Sequence, residues 1–373
     1  MVVGMHRNTK VIVDLGAIQT NVAQEKAQLQ AGQKLFAVVK ANAYGHGLIQ
    51  VAQAAKKAGA DGFCVAVIDE GVALRENGFK TETILVLGVN PASEAVYLAQ
   101  NSLSVAVSSL DFLKQAKDLL VSAGLKLRVH IALDTGMGRI GFKEIAPLKE
   151  AVAYMKAHEQ AFIFEGIFTH FAQADSADDS YYQQQLAKFK ELTGSLTELP
   201  PYVHVANSAA ALWHQDCGGN VVRYGISMYG LNPAGNALSV PRKLVPALSL
   251  VSELVHVKQV GPGESIGYGS TYTANKTEWI GTVPIGYADG WLRRMQGFKV
   301  LINGQYCPIV GRVCMDQFMV KLPNEFKVGT KVTLIGQDGE KTITAQDVAD
   351  YAQTIHYEIT CCLSERIPRV YHM

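Results

Sequence analysis

No apolar run in this sequence approaches the roughly 20 residues that a membrane-spanning helix requires. The opening residues, Met1-Val2-Val3-Gly4-Met5-His6-Arg7, lack the apolar core of a secretory signal. Charge of neither sign dominates: 34 Lys and Arg oppose 33 Asp and Glu, for a net +1. No long-range field therefore draws the chain to nucleic acid or to an anionic membrane. Cysteine is sparse and scattered except for adjacent Cys361 and Cys362, with no C-x-x-C spacing. That pattern argues against a zinc ribbon or a disulfide framework. There is no low-complexity tract. The expectation is a cytoplasmic protein with reduced thiols and with no nucleic-acid or membrane partner. What is present, 373 residues of which 48% are apolar and 18% charged, suits a globular enzyme of two domains, or of one large barrel plus an appendage.

Short β-rich runs alternate with Ala-, Lys- and Gln-rich helical segments from Leu35 to about Leu231. Strands are expected at Leu35–Lys40, Gly62–Val67, Thr83–Leu87, Leu103–Ser108, Leu127–Asp134, Phe162–His170, Tyr202–Ala206 and Val221–Tyr224. Helices are expected at Leu48–Ala58, Glu94–Ala99, Ser109–Ser122 and Tyr181–Thr193, among others. Parallel strands covered on both faces read as continuous apolar runs, and about eight such units predict a (β/α)8 TIM-like barrel. A doubly wound open sheet is the competitor, and the strand count favours closure.

The pattern changes after Pro241. Asn303-Gly304 and Asp338-Gly339 each separate two β-rich runs and have the positive-φ chemistry of tight hairpins. The fold class is α/β: a barrel over residues 1–240, then a predominantly antiparallel β domain over 241–373 with a short helix near Ala345–Ala352.

Lys40 is the most informative single residue. It ends the run Leu35-Phe36-Ala37-Val38-Val39 and precedes Tyr44-Gly45-His46-Gly47. A lysine whose ammonium group is poorly solvated has a lowered pKa, and its free amine can attack a carbonyl. Pyridoxal 5′-phosphate is the commonest cofactor held in this way. The competing reading is a lysine that ends a strand and snorkels to solvent.

In α/β barrels, chemistry sits at the C-terminal ends of the strands. Lys40 and Tyr44 follow the first strand, Asp134 to Arg139 the fifth, His170 ends the sixth, His204, Asn207 and Ser208 follow the seventh, and Arg223, Gly225 and Ile226 close the eighth. Taken singly, Asp134 reads as a turn cap and His170 as a satisfied core histidine; their shared rim argues for a site. The Asn207-Ser208 and Arg223–Ile226 segments suit a phosphate, which the loops after strands seven and eight commonly bind. No short His spacing or carboxylate cluster suggests a metal. The β domain adds Gly267-Tyr268-Gly269-Ser270-Thr271-Tyr272, Ile285–Trp291 around Tyr287, and Gly311–Gln317 around Met315 and Asp316.

Together these motifs resemble the alanine racemase family, from Val38-Val39-Lys40-Ala41-Asn42-Ala43-Tyr44-Gly45-His46-Gly47 to Tyr357 in His356-Tyr357-Glu358-Ile359. The resemblance implies a homodimer with shared active sites that interconverts L- and D-alanine, supplying D-alanine for peptidoglycan of the bacterial cell wall. Lys40 would hold pyridoxal phosphate as an internal aldimine and act as one base; Tyr268 of the partner subunit would be the other, on the opposite face. Arg223 would face the pyridine nitrogen, supported by His170 and His204. Tyr44, Ser208, Gly225, Ile226 and Tyr357 would bind the phosphate. Arg139 would lie near the cofactor's phenolic oxygen and the substrate carboxylate, which the Met315 amide would also bind. Asp316 would shape that side of the pocket, Tyr287 and Tyr357 would wall it, and Asp175, Tyr287, Arg293 and Arg312 would line the corridor for substrate.

One position departs from the family pattern. Many members carry a carbamylated lysine where this chain has Ala132, and its negative charge orients the residue matching Arg139. The expectation here is that a bound anion such as chloride, or a nearby polar side chain, substitutes. Alternatives to alanine racemisation are a racemase of serine, lysine or broad specificity, a decarboxylase on the same fold, a non-catalytic pyridoxal-phosphate carrier, and a cofactor-free barrel. The carrier lacks a tyrosine-bearing β domain, so residues 241 onward argue against it. The decarboxylase needs an acidic partner for the ring nitrogen where this chain has Arg223.

Overall fold

A computed structural model describes residues 2–214 and 217–373. The chain forms two compact units: one comprises Ala17–Ala43 and Leu48–Val245, and the other gathers the residues through Gly16, Tyr44–Gly47 and Pro246–Met373.

The first unit is a closed barrel of eight parallel strands: Lys34–Val38, Gly62–Val65, Thr83–Val86, Ser104–Val107, Leu127–Ala132, Phe162–Phe168, Tyr202–His204 and Val221–Tyr224. The first pairs with the eighth in register Lys34 with Val221 through Ala37 with Tyr224, which closes the ring and excludes the open sheet. The apolar runs were legible because these strands are covered on both faces; Gly62–Val65 and Ser104–Val107 are buried at every residue. The helices lie within a residue of their expected ends. Leu48–Lys57 buries Val51, Ala52, Ala54 and Ala55 at helical spacing and carries Lys56 and Lys57 in its last turn, where cations complement the helix dipole. Leu110–Ala123 is capped by Ser109, whose hydroxyl accepts from the Phe112 amide, and stops at Gly124 in the left-handed region.

The strands end slightly earlier than the sequence suggests. The fifth stops at Ala132 and the sixth at Phe168, so Asp134 and His170 lie beyond the hydrogen-bonded ladder, in loops.

The second unit is built on a largely antiparallel sheet ordered His256–Val260, Glu278–Val283, Phe318–Leu322, Gln305–Val310, Lys299–Ile302, Lys331–Asp338, Leu248–Glu253, Lys10–Asp14, Arg369–His372, with Lys341–Ile343 beside Lys331–Asp338. Lys10–Asp14, a strand the sequence reading does not anticipate, lies antiparallel to Leu248–Glu253 and parallel to Arg369–His372. Asn303 and Gly304 both adopt positive φ, 48° and 69°, as a two-residue hairpin of the anticipated kind requires. The second hairpin is shifted by one residue: Asp338 pairs with Lys341, so the loop is Gly339-Glu340, with Gly339 at φ 61°. The helix Ala345–Tyr351 starts from a capping box between Thr344 and Asp347. Among the described residues, no helix is long and apolar enough to cross a membrane.

Candidate active site

Lys40 stands just beyond the first barrel strand, half-buried after a fully buried Val39. The backbone then turns left-handed: Ala41, Asn42, Ala43 and Tyr44 have φ of 54°, 51°, 53° and 52°. For L-residues this conformation costs roughly 1–2 kcal/mol each, so the surroundings must impose it. The Asn42 amide donates to Glu70 Oε1 at 3.2 Å, while Glu70 Oε2 accepts from the Ala66 amide at 2.9 Å. Asn42 Oδ1 in turn accepts from the Leu48 amide at 2.8 Å. Glu70 and Asn42 thus hold the turn that follows Lys40, a task the sequence reading does not assign to either.

Arg223, only 3% exposed, meets acceptors alone. Its Nη1 donates to His204 Nδ1 at 2.9 Å and to the His204 carbonyl at 2.8 Å. Its Nη2 donates to the Thr169 carbonyl at 2.8 Å and meets His170 Nδ1 at 3.2 Å. Burial lowers its pKa to about 10, still far above neutrality, so it remains a guanidinium. His204 is driven well below the usual histidine pKa by burial and then by Arg223. His170 is driven down in the same way, by burial and then by Arg223, Arg139 and Lys40. Lys40, Arg139, His170 and Arg223 therefore share one electropositive neighbourhood at the barrel mouth.

The loops after strands seven and eight are tied together. Ser208, buried, accepts from the Gly225 amide at 2.9 Å and the Ser227 amide at 3.3 Å. Ile226 opens the 3-10 turn Ile226–Tyr229, so its amide has no acceptor within that turn. Asn207 caps the helix Ser208–Trp213, accepting from the Ala210 amide at 3.0 Å, and donates to the Phe171 carbonyl at 3.3 Å. The Asp134 carboxylate draws in the Gly136 and Gly138 amides at 3.1 and 2.9 Å, and so shapes the loop bearing Arg139. Burial alone would raise the Asp134 pKa, but the two amides and Lys143 outweigh it and lower it. Arg139 is exposed. Ala132 packs with Ala106 and Phe168, with Leu87 and Ile140 against them.

In the second unit, Tyr268 heads a turn between Gly267 and Gly269, at φ of 74° and 72°. A Cβ on Gly269 would come within 3.0 Å of Arg312 Nη1, so the glycine lets the guanidinium approach. The turn joins the two-stranded hairpin Ser265–Ile266 and Tyr272–Thr273, which is anchored by Ile266 and Tyr272 on the apolar cluster of Val260, Ala274, Ile280 and Val310. Tyr268 itself is 69% exposed and, with Met315 and Asp316, lines one open hollow. Ala288 and Tyr287 donate their amides to the Met315 and Cys314 carbonyls at 3.0 and 3.1 Å, which stitches the Tyr287 turn to this loop. Asp316 accepts from Arg366 Nη2 at 2.8 Å. Tyr44 and Tyr357, expected together at the phosphate, have ring centroids 6.1 Å apart.

The sequence reading misses His130, Glu165 and Ser104, which continue the contacts of His204 below the mouth. The available signal is a titratable residue in the middle of each of two apolar strands, Leu127–Ala132 and Phe162–Phe168.

A closed (β/α)8 barrel with a lysine-and-arginine mouth, followed by a β domain presenting a glycine-flanked tyrosine, defines the barrel-type amino-acid racemases, which are isomerases. The chain matches the alanine racemase N-terminal domain over residues 13–233 and the C-terminal domain over 247–371, and it belongs to the alanine racemase family. It is 63% identical to the alanine racemase of Ligilactobacillus salivarius, with both chains covered in full. The crystal structure of alanine racemase from E. faecalis superposes with a TM-score of 0.98 at 54% identity, again over all of both chains. A histidine racemase from Leuconostoc mesenteroides subsp. sake is also similar, with a TM-score of 0.94 at 34% identity and full coverage of both chains.

Proposed function

We propose that this chain interconverts L- and D-alanine with pyridoxal 5′-phosphate in a cytoplasmic homodimer, supplying D-alanine for peptidoglycan. The residues present fit an anionic cofactor. The mouth gathers the charges of Lys40, Arg139 and Arg223 around His170, and the Ile226 amide and Ser208 lie where a phosphate is commonly bound. Lys40 would hold the aldehyde carbon, Arg223 the pyridine nitrogen, Arg139 the phenolic oxygen, and Tyr44, Ser208, Gly225, Ile226 and Tyr357 the phosphate. Bound there, the cofactor supplies an electron sink that acidifies the substrate Cα–H.

Racemisation needs a proton removed from one face of Cα and another delivered to the opposite face. The Lys40 amine and the Tyr268 phenol are the proposed pair. The Met315 amide and Arg139 orient the substrate carboxylate, Asp316 shapes that side of the pocket, and Tyr287 and Tyr357 restrict the side chain to about a methyl. The exposure of Tyr268 and Met315, 69% and 53%, supports a partner subunit covering the hollow they line.

The observation that carries this reading is Arg223, buried and hydrogen-bonded only through its own donors. A guanidinium of pKa about 10 gives a hydrogen bond to the ring nitrogen but not a proton. The ring's pull on electrons would then stay moderate, which would favour proton return to Cα over transamination. The histidine racemase relative motivates a second reading, a larger substrate on the same frame. Circular dichroism of single enantiomers of alanine, serine, lysine and histidine incubated with the purified protein decides between them. Loss of optical rotation for alanine first supports the proposal; a faster loss for histidine or lysine overturns it.

A further inference from the structure

Behind Arg223 a hydrogen-bonded chain continues through the barrel interior. His204 Nε2 lies 2.8 Å from His130 Nδ1, and His130 Nε2 lies 3.0 Å from Glu165 Oε2. Glu165 also accepts from the Ser104 hydroxyl and, at 2.8 Å, from Arg128 Nη1. His130, His204 and Ser104 have no exposed surface, and Glu165 is 5% exposed. Barrel interiors are ordinarily filled with branched apolar side chains, so a file of buried polar groups needs a reason.

The donor inventory orders every proton in the file. Arginine cannot accept, so His204 Nδ1 must carry a lone pair toward Arg223. The His204 proton therefore sits on Nε2 and points at His130 Nδ1, which must be the acceptor. The His130 proton then sits on Nε2 and points at Glu165, which accepts. Donation then runs one way along the file, from Arg223 to the carboxylate. Were either ring in the other tautomer, two N–H groups would face each other somewhere along the file.

We propose that His130 and Glu165 are positioning residues for Arg223: acting through His204, they fix the single tautomer that can receive its guanidinium. A carboxylate that orients an imidazole and raises its basicity toward a third group is a familiar device at metal-bound histidines; here the third group is an arginine. The backbone is shaped for it. A Cβ on Gly166, next to Glu165, would fall 2.2 Å from His130 Nδ1, and the strand pairing shifts register between Val129 and His130. The proton order rests on geometry alone, whereas its consequence for reaction specificity rests on the function proposed above.

Neutron diffraction from a deuterium-exchanged crystal of the wild-type holoenzyme tests the order directly. A deuteron is expected on Nε2 of both His204 and His130 and on neither Nδ1; a deuteron on either Nδ1 overturns the proposal. In His130→Phe, His204 loses its acceptor and Arg223 its fixed partner. Pyruvate formed per racemisation turnover should then rise on the order of tenfold, with alanine KM unchanged, as expected for an outer residue acting through its neighbour. An unchanged ratio in a folded His130→Phe enzyme overturns the positioning role. Wild-type protein that racemises no amino acid would instead overturn the function while leaving the deuteron positions standing.

Discussion

The amide of Asn42 donates to the Glu70 carboxylate across 3.2 Å, and through that bond a helix of the barrel restrains the left-handed turn after Lys40. Four consecutive non-glycine residues at positive φ are expensive, roughly 1–2 kcal/mol each. What the strain secures is the path of the backbone leaving Lys40 at the barrel mouth.

Replacing Glu70 with Ala therefore removes the acceptor of three amides, those of Asn42, Ala66 and Val67. We expect a stability loss of about 1–3 kcal/mol, read as a lower urea midpoint, together with a fall in racemisation. Glu70→Gln, which keeps one acceptor oxygen, should lie between the two. Equal midpoints and rates for all three proteins would disprove the role.

Arg223→Glu places a carboxylate where only donors now stand. His204 would have to reverse its tautomer to donate from Nδ1. An acidic group beside the pyridine nitrogen also strengthens the electron sink by favouring the protonated ring. The expected result is slower racemisation with a larger share of pyruvate and pyridoxamine phosphate among the products. An unaltered product distribution would contradict the assignment of Arg223.

The barrel was readable because parallel strands buried on both faces leave continuous apolar runs, and because strand C-termini locate chemistry without further knowledge. Lys40, His204 and Arg223 were found on that ground. The strand Lys10–Asp14 was not, since its partners Leu248–Glu253 and Arg369–His372 lie at the other end of the sequence and no local signal encodes such pairing. The left-handed turn was equally hidden: Ala41-Asn42-Ala43 has no glycine, so local propensity points away from positive φ and tertiary contacts impose it. Glu165 and His130 were visible as interruptions in apolar strands, but that one faces the other is a property of the closed barrel. The one-residue shift of the Gly339-Glu340 turn follows from register, which turn composition alone does not determine.

Stability should fall on acidification in two stages. His204 and His170 are held well below the ordinary histidine pKa by burial, and His356 is lowered to about 4 by the same cause. Below about pH 6.5 the unfolded chain binds protons that these native imidazoles refuse. Each therefore costs up to about 1.4 kcal/mol per pH unit below that point. For Glu165, burial alone would raise the pKa, but His130, Ser104 and Arg128 outweigh it and bring it to about 2. Its contribution is complete above the unfolded value near 4.5 and is lost as pH falls from there toward 2. Urea midpoints measured from pH 8 to pH 4 should decline from about pH 6.5 downward. A flat profile across pH 7 to 5 would contradict the neutral, buried histidines.

Tyr268 is 69% exposed on its own chain, and its proposed role requires the Lys40 of the other subunit. Tyr268→Phe alone should slow proton abstraction from one alanine enantiomer far more than from the other, because Lys40 still serves the opposite face. Lys40→Ala alone should abolish racemisation. If each site takes its lysine from one chain and its phenol from the other, a dimer of one Lys40→Ala and one Tyr268→Phe chain has one doubly damaged site and one intact site. Random reassociation of equal amounts then restores about a quarter of wild-type activity, since half the dimers are mixed and each has one of its two symmetric sites whole. Bases drawn from the same chain leave every site damaged and give no such recovery. The activity of the mixture, compared with that of each parent after the same dissociation and refolding, therefore separates a shared site from a self-contained one.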